Sequence, residues 1–196
     1  MPFKETVEDI YGLFPKLLEA VELLQRSAVY SNPRLLDDAD TLAKEIHLRE
    51  KDLTERLVAM GRSEPLVQKM VSIPGHIERI GDYIESMSKA LRIKANGGIL
   101  FSDKAMDEIN FLFEKIKDIL SNTSDMLLAR NRIVAGYVRE AELALTRSAN
   151  EFATMHEERL IEGLCMPKAS SIYLDMLDAF KAIAWHSKEI AQKLLD

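Results

Sequence analysis

The chain has 196 residues, 47% of them hydrophobic, a formal net charge of -6 and a single cysteine. That length and apolar content suffice for one large core or two small ones. The acidic balance sets aside nonspecific binding to nucleic acid and attraction to an anionic membrane, since both need a basic face. Cys165 alone excludes an intramolecular disulfide and a cysteine-based zinc site within one chain, as suits a reducing cytoplasm.

Charged residues stand in MPFKETVEDIYGLF where a secretory leader would carry its apolar core, and no uncharged apolar run reaches the ~18 residues of a membrane span. The sequence therefore predicts a soluble cytoplasmic protein that does not insert in a membrane, although it can be peripheral to one through a partner. Apolar residues recur at helical spacing almost throughout, with no strand-like alternation, so the fold class is all-α. A first helix is expected from about Lys4 to Tyr30, bent or delayed by Gly12 and Pro15. Ser31-Asn32-Pro33 caps a second helix that ends at Gly61. Ser63, with Pro65 in its first turn, caps a third that runs to Asn96-Gly97-Gly98 and is kinked at Pro74-Gly75. Ser102 caps a fourth that fades in the polar run SNTSD, Ser121 to Asp125. A fifth runs from about Arg130 to Glu162, stopped by Gly163, and a sixth from about Lys168 to Leu195.

These six helices fall into two sets of three, over 1–98 and 99–196, expected to form two tandem three-helix bundles in one compact domain. A displacement of 103 positions lays Ile73, Ile77, Ile80, Met87 and Leu91 on Met176, Phe180, Ile183, Ile190 and Leu194. A displacement of 95 lays Leu42, Ile46, Leu57 and Met60 on Tyr137, Ala141, Phe152 and Met155. The order of short and long connections repeats as well, and an internal duplication is the simplest account.

The stretch IPGHIERIGDYIESMSKAL, Ile73 to Leu91, carries Glu78, Asp82 and Glu85 together on the face opposite its apolar stripe. A solvated face explains such a cluster, but like charges at that spacing repel by a few tenths of a kcal/mol per pair, and a cation held between them would offset that cost. On the second helix Glu50 falls almost in line with the apolar stripe, where a carboxylate must reach the surface, find a partner such as Arg49 or Arg56, or bind a cation. His47 lies one turn before it. The second half does not repeat this constellation: Lys181, Trp185 and Lys188 take the places of Glu78, Asp82 and Glu85, and the two lysines are expected to pair with Glu78 and Glu85 if the halves face each other. Trp185 on a polar face suggests cover for a neighbouring helix or a partner surface. His76, His156 and His186 are read as local or polar-face residues without ligand roles.

With KEIHLREKDLTERL on the second helix and HIERIGDYIESMSKAL on the third, the sequence resembles the PhoU family, and above all the PhoU-like relatives that accompany low-affinity phosphate transporters. That resemblance implies tandem three-helix bundles and surface metal sites built on a Glu/Asp-x-x-x-Asp motif in each half. The match is Glu78-x-x-x-Asp82, supported by Glu50, with Thr54 standing where members often carry an aspartate. Lys181 and Trp185 depart from the second motif. One metal site is implied, at Glu50, Glu78 and Asp82 with His47 and Glu85 in support, for iron, zinc, manganese or nickel.

The function implied is a regulator or accessory protein of phosphate transport that contacts a phosphate transporter or a membrane sensor kinase and has no chemistry of its own. The alternative is a helical interaction module with an unrelated partner and no metal. A homo-oligomer is compatible with both. A di-iron enzyme is disfavoured because such bundles use Glu-x-x-His, and Lys44, Ile73, Ala153 and Ile183 stand three residues before the four histidines. Neither a phosphate-binding P-loop nor a hydrolase elbow is visible.

Overall fold

A computed structural model describes residues 2–61 and 65–195. Among the described residues, eight helices build six rods, because two of the rods are broken. The first rod comprises α1 (Pro2–Tyr11) and α2 (Leu13–Tyr30), interrupted at Gly12 with Pro15 in the first turn of α2. The third comprises α4 (Pro65–Met70) and α5 (Ile73–Asn96). Its break falls at Val71 and Ser72, just ahead of the expected kink, so that Pro74 occupies the first turn of α5, where a missing N–H has no cost. The proposed cap at Ser63 lies outside the described residues.

The other rods are α3 (Arg34–Met60), α6 (Asp103–Ala129), α7 (Arg132–Ile161) and α8 (Pro167–Lys193). Their ends follow the local chemistry. Asn32 Oδ1 accepts from Arg34 N at 3.1 Å, and Ser102 Oγ accepts from Ala105 N at 3.3 Å. Gly98 and Gly163 take positive φ, and behind them Ile99 N donates to Lys94 O and Leu164 N to Arg159 O, both at 2.9 Å, closing α5 and α7 with left-handed turns. The polar run Ser121–Asp125 does not end α6, contrary to expectation. Asn122, Thr123 and Ser124 donate back to the carbonyls of Asp118, Ile119 and Ser121, while Met126 and Leu127 bury one turn further on.

Among the described residues the fold is all-α. α2 packs on α3 and α5, α6 packs on α7 and α8, and the two triplets meet where α5 lies on α8 and α2 on α6. One continuous apolar core threads both triplets. The burial pattern repeats between the triplets, with one change of register. For the second rod the displacement that matches the burial is 99 rather than 95, laying Leu36, Ala39 and Ile46 on Ala135, Val138 and Leu145, and the first rod shares it, with Ile10, Phe14 and Leu17 on Ile109, Phe113 and Ile116, all buried. A slip of four residues turns a helix by only ~40°, too little for the hydrophobic pattern to detect. Between α5 and α8 the displacement of 103 holds, since Ile73, Ile77, Ile80, Met87 and Leu91 and their counterparts are all buried.

Candidate functional site

Gly81 marks the helix crossing that builds the site. α3 crosses α5 close enough that a Cβ at Gly81 would stand 3.7 Å from Ile46 Cγ2 and 3.8 Å from His47 Cε1. Ile46 goes into the core, and its neighbour His47 is thereby laid over the polar face of α5. There the imidazole meets three carboxylates: Nδ1 is 3.7 Å from Glu78 Oε1, and Nε2 is 3.6 Å from Asp82 Oδ1 and 3.3 Å from Glu85 Oε1. The outer oxygens face cations, Arg79 Nη1 donating to Asp82 Oδ2 at 3.1 Å and Lys89 Nζ standing 3.8 Å from Glu85 Oε2. All four central side chains are partly open to solvent.

Four of the five candidate residues, His47, Glu78, Asp82 and Glu85, are thus brought together. Glu50 is engaged along its own helix, accepting from Thr54 Oγ1 at 2.7 Å. The expected arginine partners are not used: Arg56 goes to Asp9 and Asp52 at 2.7 and 3.0 Å. Thr54, which stands where the resemblance leads one to expect an aspartate, therefore holds the Glu50 carboxylate. In kind, an imidazole with several carboxylates suits a borderline divalent ion. In spacing, the oxygens are arranged around the imidazole at ion-pair distance, and among the described residues no three His, Cys, Asp or Glu side chains stand together at metal-holding geometry.

The corresponding face of the second half is built differently. Lys181 pairs with Asp178 at 2.8 Å and Lys188 with Glu189 at 3.1 Å, so neither lysine reaches Glu78 or Glu85 as expected. Trp185 is 43% exposed, with its ring edge-on to His186 at 4.8 Å between centroids and under the ammonium of Lys188. His186 in turn meets His76 across the α5–α8 seam, their Nδ1 atoms 3.0 Å apart. Burial lowers the basicity of both rings. Lys193 adds to the effect for His76, and His76 and Arg79 for His186, which falls to about 4.

His156 is likewise misplaced by the sequence reading. It is 2% exposed, stacked on Tyr173 at 4.5 Å, with Nε2 at 2.5 Å from Ser170 Oγ. Beside it Glu108, 2% exposed, accepts two bonds from Arg159 at 2.9 and 2.7 Å and one from Tyr173 at 2.5 Å. Burial, reinforced by that bond to Glu108, holds the Tyr173 phenol well above its usual range. This network ties α6, α7 and α8 together. Its signal was present in the sequence, since Glu108 falls in phase with Ala105, Leu112 and Ile116.

The crystal structure of PhoU from Pseudomonas aeruginosa superposes on this chain with a TM-score of 0.89, over 99% of this chain and 95% of that one, at 12% sequence identity. The chain has the PhoU fold. No protein-family model and no curated protein matches the sequence. The likeness to PhoU is one of helix order and packing. Among the described residues of this PhoU-like bundle, no helix is long and apolar enough to cross a membrane.

Proposed function

We propose that this PhoU-like chain is a regulator or accessory protein of phosphate transport, working in the cytoplasm by contact with a phosphate transporter or a membrane sensor kinase and catalysing no reaction. The observation that carries this reading is the placement of His47 over Glu78, Asp82 and Glu85 on a fold that matches PhoU along nearly its whole length. The acidic cluster is the proposed metal site, for iron, zinc, manganese or nickel, with Glu50 joining when it leaves Thr54. A bound ion would neutralise carboxylates that otherwise repel one another. His47 would then act as a ligand, and Arg79 and Lys89 would keep the rim polar.

A second reading rests on the other half. There Lys181, Trp185 and Lys188 occupy the equivalent face, and exposed Trp185 suits a protein contact. On that reading the chain is a helical interaction module with a partner unrelated to phosphate.

Affinity capture of the tagged protein from gently solubilised cells of its source, grown with and without phosphate, separates the two. Recovery of a phosphate transporter or its sensor kinase is the expected result. Recovery of an unrelated partner without phosphate dependence would favour the interaction module. Metal analysis of untagged protein, with Glu78→Ala plus Asp82→Ala as control, tests the site: substoichiometric metal, with no metal-induced rise in the unfolding midpoint that the double variant loses, would remove it from the proposal.

A further inference from the structure

His76 stands in the first turn of α5, and His186 lies far along α8 on the antiparallel rod that crosses it. The two rings meet Nδ1 to Nδ1 at 3.0 Å, half-buried, with the rings of Tyr83 and Trp185 at 6.0 and 4.8 Å from that of His186. Two imidazole nitrogens bound at ~2.0–2.1 Å to one ion stand about 2.9 Å apart when they subtend a right angle and about 3.3 Å apart at the tetrahedral angle. The observed 3.0 Å falls within that span. A hydrogen bond, with one ring donating and the other accepting, also satisfies the distance; a shift of that one proton to Nε2 leaves an Nδ1 lone pair on each ring for a shared ion.

The donors differ from those of the acidic cluster. Two imidazoles favour zinc, nickel or copper over magnesium or calcium. Glu189, one turn after His186 on α8, is turned to the same region, and its charge is felt by both rings. Its carboxylate now pairs with Lys188 at 3.1 Å. Among the described residues no third ligand is already assembled, so the site is a two-imidazole clamp whose remaining positions fall to water or a reoriented Glu189.

We propose that His76 and His186 form a second, independent metal site for a borderline divalent ion, zinc, nickel or copper, at the seam between the two triplets. Such an ion joins α5 of the first half to α8 of the second. It thereby pins the two halves at a point beside the acidic face and beside the exposed indole of Trp185.

The protein carries its own reporter, because Trp185 is the single tryptophan and its ring lies 4.8 Å from that of His186 and 6.0 Å from that of His76. Untagged full-length protein titrated with nickel chloride should lose Trp185 fluorescence saturably at one equivalent, since open-shell ions quench a nearby indole, and zinc added afterwards should restore it by displacement. His76→Gln and His186→Gln, each checked for native helicity, should weaken the quench at least tenfold. The triple variant Glu78→Gln, Asp82→Asn, Glu85→Gln should keep it. The proposal is overturned if the wild-type protein shows no saturable quench, if the quench survives either histidine variant, or if it disappears in the acidic triple variant. Zinc-induced elevation of the unfolding midpoint, read by circular dichroism on the same proteins, must follow the same pattern.

Discussion

Glu108 is the residue on which one whole end of the second triplet depends. Its buried carboxylate has three donors, two from Arg159 and one from Tyr173. Glu108→Gln removes the charge but keeps the shape, leaving the largely buried Arg159 guanidinium uncompensated. Breaking a buried pair from one side costs about 3–5 kcal/mol, so a loss of about 3 kcal/mol in chemical denaturation is expected. Tyr173→Phe, which removes one hydrogen bond, should cost about 1–2 kcal/mol. Equal effects from the two variants would mean that the ion pair carries no special weight. The histidines give a pH dependence with a definite sign. Burial, with Arg159 for His156 and with His76 for His186, lowers both rings, His186 to about 4. The unfolded chain takes up these protons near ~6.5 and the folded chain only at lower pH. Stability is therefore complete above that value and falls as pH drops towards about 4. The unfolding midpoint of the wild-type protein should decline across this window, and His186→Gln should decline less steeply; parallel curves would contradict the assignment.

At the scale of elements, the crossing of α3 over α5 makes a sharp claim about Gly81. An alanine Cβ meets Ile46 and His47 at ordinary contact distance, and alanine is favoured over glycine inside a helix by about 1 kcal/mol. Gly81→Ala should therefore leave stability unchanged or raise it by up to about 1 kcal/mol. Gly81→Leu has no room for its branches. It should force α3 away, lower the unfolding midpoint and move the His47 ring off the carboxylates, which the His47 imidazole resonances would report. The sequence carried enough to place all six rods, because their stripes are long and their ends bear capping residues such as Asn32, Ser102 and Gly163. It misjudged α6 because SNTSD looks like a turn by composition. Its side chains bond back to the same helix, which composition does not disclose. The acidic cluster was legible as one face of α5, and His47 as a neighbour of Glu50. That Thr54 would claim Glu50, and that His76 would find His186 across the seam, depend on rotamers and on the packing of distant rods, which no periodicity encodes.

At the scale of the whole molecule, the question is whether the two triplets behave as two bodies or one. Each half has the connectivity of an independent bundle, and chains above ~150 residues often unfold in steps. Against that stands the seam. The core is continuous across it: α5 lies on α8 and α2 on α6, with Phe113 and Phe180 packed edge-to-face at 4.8 Å inside the second triplet and Gln25 bonded across the seam to Glu114 at 3.0 Å. α5 buries residues along nearly its whole length, so peeling the triplets apart would expose a long apolar face on each, at ~25 cal/mol per Å². Neither half should then persist alone, and unfolding by urea should be a single transition in which helicity and Trp185 fluorescence, the latter reporting the seam itself, change together. A fluorescence change that precedes the loss of helicity would show the halves separating while still folded, and would make the seam a hinge rather than part of one cooperative core. Addition of zinc sharpens the comparison, because an ion held by His76 and His186 tightens the seam alone: it should move the joint transition to higher urea without splitting it.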